Sequence, residues 1–144
     1  MHYIGLDLGT KTLGISLSVS NIAINYGTIR HDEDYDYLVS EVNKIVNMKH
    51  IDKIILGFPK NMNNTIGERA SITLDFKKKL ENVTGCEVIL EDERLTSVVA
   101  NKVLIEADTS RKKRKKRVDG VASVIILQSY LDRKGNLKWK KKTQ

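Results

Sequence analysis

The segment Tyr3-Ile4-Gly5-Leu6-Asp7-Leu8-Gly9-Thr10-Lys11 governs how the rest of the chain is read. Ile4, Leu6 and Leu8 alternate with Gly5, Asp7 and Gly9, the period of a strand that buries one row of side chains and turns the other to the opposite face. Asp7 is thus a carboxylate inside an otherwise apolar strand, and an ionised carboxylate is costly to bury without a partner. Two readings follow from the segment alone. Asp7 pairs with a lysine or caps a turn, or it serves chemistry where the flanking glycines let a phosphate or a metal-bound ligand approach the backbone.

Working outward, residues 2–8, 13–19 and 23–30 read as three strands joined by short turns, an antiparallel meander whose first turn is Gly9-Thr10-Lys11. Between Asp34 and Lys49, Leu38, Val39, Val42, Ile45 and Val46 recur at helical spacing. Lys53 to Phe58 is a short apolar strand stopped by Pro59, the only proline of the chain. Thr65 and Glu68 have capping-box spacing ahead of a second helix, expected to run through Ile72, Phe76 and Leu80 to about Glu81. Glu87 to Glu91 reads as a fifth strand, and Thr96 as the cap of a further helix through Val99 and Val103. Val118 to Asp132 is apolar nearly all round and too long for an ordinary strand, so a buried helix is expected there.

Helical crossovers between successive strands imply parallel pairing with right-handed connections. The expected fold class is therefore α/β: a mixed five-stranded sheet, a three-strand antiparallel meander plus two parallel strands, flanked by helices. At 144 residues the chain is expected to form a single domain, 1–144, with a basic loop at 108–117 and a basic C-terminal tail at 133–144. No apolar run has the length of a membrane span, and no basic stretch with an apolar signal segment precedes the first strand. A cytoplasmic protein without a membrane partner is expected. Cys86 is the only cysteine, which excludes an intramolecular disulfide and a cysteine-built metal site, and His2, His31 and His50 are scattered singly.

Charge is distributed unevenly. Residues 1–110 hold 12 Lys and Arg against 16 Asp and Glu, whereas residues 111–144 hold 13 against 2. The acidic remainder makes general basicity a poor explanation and points to a polyanionic partner for the C-terminal part. Its sharpest element is Arg111-Lys112-Lys113-Arg114-Lys115-Lys116-Arg117, seven consecutive cations expected to form a free loop, and a second cluster surrounds Trp139.

The acids fall at informative places: Asp7 in the first strand, Asp92 and Glu93 at the end of the fifth, and Asp119 at the start of the last helix. If the first strand is central, these can converge, and gathered carboxylates need a cation to offset them. Magnesium or manganese suits hard oxygen ligands and a chain poor in histidine. Two such ions roughly 3.5–4 Å apart activate a water and stabilise the leaving oxygen of a phosphodiester. Alternation places Asp92 with Val88 and Leu90, and Glu93 with Glu87 and Ile89. Which row faces Asp7 stays open. Asp92-Glu93-Arg94 also fits a local ion pair, and Asp119 fits a helix cap.

Several blocks in order resemble the YqgF family of RuvC-like, RNase H-fold nucleases. They are Gly5-Leu6-Asp7-Leu8-Gly9-Thr10-Lys11 with Gly14, Gly57-Phe58-Pro59-Lys60-Asn61-Met62, Gly67-Glu68-Arg69-Ala70, Asp92-Glu93-Arg94-Leu95-Thr96-Ser97 with Val118-Asp119, and Ile126-Leu127-Gln128-Ser129-Tyr130-Leu131-Asp132. The resemblance implies an RNase H-like domain that hydrolyses RNA phosphodiesters in maturation of the 5′ end of precursor 16S ribosomal RNA. It implies Asp7, Glu93 and Asp119 as catalytic, metal-binding carboxylates, with Asp92 as a further candidate ligand. Lys11, Arg94 and Arg111 to Arg117 are candidates for phosphate contacts, and Asn61 and Arg69 for the rim of the site. The chain departs from the family at Thr12, where an arginine is usual, and near Ser18 and Ser20, where an aspartate is expected.

Three other readings compete. A Holliday-junction resolvase would act on branched DNA, and a non-catalytic ribosome-assembly factor would keep the acids for structure. Asp7-Leu8-Gly9-Thr10 also resembles the first phosphate loop of actin-like ATPases, but those clasp nucleotide between two such domains, a clamp that one domain of this length does not make.

Overall fold

In the computed structural model, residues 1–59, 67–92 and 122–135 are described. The elements in chain order are β1 (Tyr3–Leu8), β2 (Thr12–Val19), β3 (Ile22–Arg30), α1 (Tyr35–Lys49), β4 (Lys53–Phe58), α2 (Glu68–Thr84), β5 (Glu87–Asp92) and a helix over 122–135, α3. The strands form one sheet in the order β3-β2-β1-β4-β5, which puts β1 at the centre. β1 runs antiparallel to β2 and β2 to β3, whereas β1 with β4 and β4 with β5 are parallel. The expected mixed sheet is the one observed.

Side-chain alternation in β1 sorts the molecule into two layers. Ile4, Leu6 and Leu8 join Leu38, Val42, Ile54, Leu56, Phe76 and Leu80 in the larger core, beneath α1 and α2. Tyr3 and Gly5 face the other way, where Tyr3, Ala23 and Ile55 pack with Ile126, Leu127 and Leu131 of α3. Asp34 caps α1 by accepting from the Tyr37 amide at 3.1 Å, as its short acidic side chain favours. At the far end of α2, the Lys77 ammonium at 3.1 Å holds the Glu81 carboxyl below the ordinary carboxylate range, helped by the Val88 amide at the start of β5.

Four expectations are corrected. α2 begins at Glu68 with Gly67 as its N-cap and no side-chain cap, so Glu68 is the first residue of the helix and not the third of a capping box; Thr65 lies outside the described residues. The same helix continues past Glu81 to Thr84, where Gly85 closes it in the left-handed conformation at φ 73°. Of the helix expected over Val118 to Asp132, 118–121 lie outside the described residues, and the described part is not buried all round: Ser123, Ile126, Leu127 and Leu131 form one buried stripe, at i, i+3, i+4 and i+8. Gly5 does not open the backbone to a ligand. A Cβ there would lie 2.4 Å from Ser16 Oγ and 2.8 Å from Leu127 Cβ, so this glycine lets α3 approach β1.

No described helix is long and apolar enough to cross a membrane.

Candidate functional site

Asp7 lies near the C-terminal end of the central strand, half-buried, on the α3 side of the sheet. Its antiparallel partner is Gly14, which pairs in turn with Thr28, so the row running toward β3 carries small side chains. On the other side, Leu6 pairs with Leu56, and the residue after Leu56, Gly57, pairs with Glu91. Asp7 thus stands between two glycine positions. Among the described residues its carboxylate makes no hydrogen bond and no ion pair, although the chain around it is tightly fixed.

The turn that follows Asp7 is held from three directions. Arg69 of α2 donates to the Leu8 carbonyl at 2.8 Å, and the Gly9 amide donates to Thr12 O at 2.8 Å. The His31 amide donates to Lys11 O at 2.9 Å. The buried His31 ring accepts from the Glu33 amide through Nδ1 at 3.0 Å, which leaves the proton on Nε2 to be donated to Gly9 O at 3.0 Å. His31 was one of three scattered histidines in the sequence, and nothing in its local pattern announces that it reaches back 22 residues to the turn. Arg69 was expected at the rim of the site, and its guanidinium fastens the end of β1.

The structure also identifies which row of β5 shares Asp7's face. Ile89 packs with Ile55 and α3, whereas Val88 and Leu90 belong to the core under α1 and α2. Glu91 follows Ile89 in the row on Asp7's side. It is 2% exposed, and Arg133 of α3 grips both its oxygens at 2.7 Å, with Ser129 at 3.4 Å. In this pair Glu91 is buried and Arg133 half-exposed, and no local sequence pattern announces it. Glu91 sits in a strand of alternating residues like any exposed glutamate, and its partner is 42 residues away. Asp92 closes β5 in the row of Val88 and Leu90, paired in register with Phe58.

Of the other expected site residues, Lys11 is exposed in the turn after Asp7. Thr12, where the family resemblance calls for an arginine, pairs across the ladder with Arg30. Asn61, Glu93, Arg94, Arg111 to Arg117 and Asp119 lie outside the described residues, as do the helix expected after Thr96 and the cluster around Trp139. Among the described residues, no three His, Cys, Asp or Glu side chains gather in a group that could hold a metal ion.

A central strand flanked antiparallel on one side and parallel on the other, with an acid near its C-terminal end, defines a RuvC-like protein of the RNase H fold. Thermus thermophilus RuvC in complex with a Holliday junction substrate has this fold, with a TM-score of 0.60 at 13% identity over 94% of this chain and 96% of that one. A second Thermus thermophilus RuvC structure gives 0.57 at 10% identity, over 94% and 97%.

The family model RuvX, described as a Holliday junction resolvase, matches residues 1–133, and the chain belongs to that family. Proteins of Bacillus pumilus and Bacillus subtilis are 50% identical to it over 135 residues, 92% of this chain and 98% of each relative, and both are named "Putative pre-16S rRNA nuclease". The family is one of nucleases, hydrolases that act on phosphodiester bonds.

Proposed function

We propose that this protein is a divalent-metal-dependent nuclease that hydrolyses RNA phosphodiesters in 5′-end maturation of precursor 16S ribosomal RNA. The observation that carries the reading is Asp7: a half-buried carboxylate on the central strand, in a rigid frame, with no protein partner among the described residues. Leaving such a group unpaired costs free energy that a lysine would remove. A hard cation, Mg²⁺ or Mn²⁺, fits the position because its ligands are oxygens.

Glu93 and Asp119 are the acids we assign beside Asp7. Glu91 shares Asp7's face but is committed to Arg133, and the next position of its row in the sequence is 93. Asp92 belongs to the other row and stands as the weaker candidate ligand. Held by Asp7, Glu93 and Asp119, two divalent cations would supply an activated water and offset charge at the phosphoryl oxygens. The chain's own part is to orient. Arg69 and His31 fix the turn beside Asp7, so the carboxylate is positioned before substrate arrives. The cations Arg111 to Arg117 and Arg94 neutralise backbone phosphates, which sets position more than sequence preference.

The names of the Bacillus relatives favour ribosomal precursor RNA, and the RuvX description keeps branched DNA as the second substrate. Side-by-side assays on a precursor 16S fragment and a four-way DNA junction in Mg²⁺ and Mn²⁺ separate them. Faster cleavage of the RNA at its 5′ precursor boundary is expected. Efficient junction cleavage with the RNA left intact would reverse the assignment.

A further inference from the structure

We infer that Lys11 and Arg30 form a second anchoring point for nucleic-acid backbone phosphate, on the side of Asp7 away from β5. The inference rests on the nuclease reading above and adds a direction to it. The ladder between β2 and β3 pairs Gly14 with Thr28 and, two residues further, Thr12 with Arg30. Asp7 pairs with Gly14, so Asp7, Thr28 and Arg30 point to the same face of the sheet by alternation. Two interstrand steps of about 4.8 Å and two residues of about 3.3 Å put the Asp7 and Arg30 backbones roughly 12 Å apart. With one phosphate per about 3.4 Å of each strand in a duplex, that is a span of a few nucleotides.

The end of this path is a depression of about 480 Å³ lined by Lys11, Arg30, His31 and Asp32. Both His31 ring nitrogens are engaged with Gly9 and Glu33, so the imidazole is a wall and not a donor to ligand. Lys11 and Arg30 are exposed, and among the described residues neither side chain makes a hydrogen bond or an ion pair. Asp32 also lines the depression, where its carboxylate works against the two cations. The anchor therefore contributes moderate affinity and orientation. Among the described residues, the strand row between it and Asp7 carries the small side chains of Gly14, Thr12 and Thr28, over which the backbone of a single strand can lie flat.

The test is binding of a single-stranded RNA oligonucleotide, followed by fluorescence anisotropy across a salt series in EDTA to prevent cleavage. Each lost contact should flatten the slope of log K against log salt by about 0.7 and weaken binding about fivefold at 0.1 M salt. Lys11→Gln/Arg30→Gln should therefore bind about 25-fold more weakly with a slope smaller by about 1.4. Lys49→Gln/Lys78→Gln, an equal charge change on the helices of the opposite face, should bind like wild type, and Arg30→Lys should restore most of the affinity lost in Arg30→Gln. A Lys11→Gln/Arg30→Gln protein with wild-type affinity and slope would overturn the anchor alone. Wild-type protein that binds no RNA would overturn the anchor together with the substrate reading.

Discussion

Asp7 and Glu91 are two carboxylates on one sheet face with opposite surroundings. Glu91 is enclosed by α3 and paired through both oxygens, whereas Asp7 is half-buried and has no hydrogen bond or ion pair among the described residues. Removing Arg133 leaves the buried Glu91 carboxylate uncompensated, and the loss exceeds what the pair contributed. Because Arg133 itself is 54% exposed and solvent screens it, Arg133→Ala is expected to destabilise the fold by about 1–2 kcal/mol, measured by urea denaturation, and removal of both partners as Glu91→Leu/Arg133→Leu should cost less than that single change. An Arg133→Ala protein as stable as wild type would show that Glu91 reaches water. The sequence made Asp7 conspicuous because its neighbours are glycine and leucine. It left Glu91 inconspicuous because burial by a distant helix has no local signature.

At the scale of elements, most of the fold was legible. Period-two alternation in β1 and the apolar stripe of α1 depend only on nearby residues, and both came out within a residue or two of the observed bounds. Of the four misjudged features, the burial of α3 and the purpose of Gly5 depend on tertiary contact, whereas the two ends of α2 are set locally by Gly67 and Gly85. The backbone of β1 comes against α3 at Gly5, and Ser16 Oγ donates to the Ser123 carbonyl at 2.7 Å in the same place. Gly5→Ala must push α3 away or displace Ser16, at an expected cost of about 1–3 kcal/mol. A lower thermal midpoint with reduced cleavage is the predicted result, since α3 also carries the partner of Glu91. An unchanged midpoint would mean that α3 sits less closely than described.

For the whole molecule, the layered sheet puts the larger core on one face and Asp7 on the other. The large core lies under α1 and α2, and Asp7, the acid proposed for the site, stands on the opposite face beside the small residues of β2. Removing charge at Asp7 should consequently leave folding intact while abolishing hydrolysis. The legible part of the site was the first strand and its turn. The turn's latch at His31 and the commitment of Glu91 leave no local trace in the sequence, because both join residues far apart in it. The decisive measurement is cleavage of a precursor 16S RNA fragment by wild-type and Asp7→Asn protein in Mg²⁺ and in Mn²⁺, with thermal midpoints and RNA affinity recorded on the same samples. Asp7→Asn should keep the wild-type midpoint and affinity and lose at least about 100-fold in rate, the scale on which removing one electrostatic catalytic group acts. An Asp7→Asn protein that folds, binds and cuts at the wild-type rate would contradict the account.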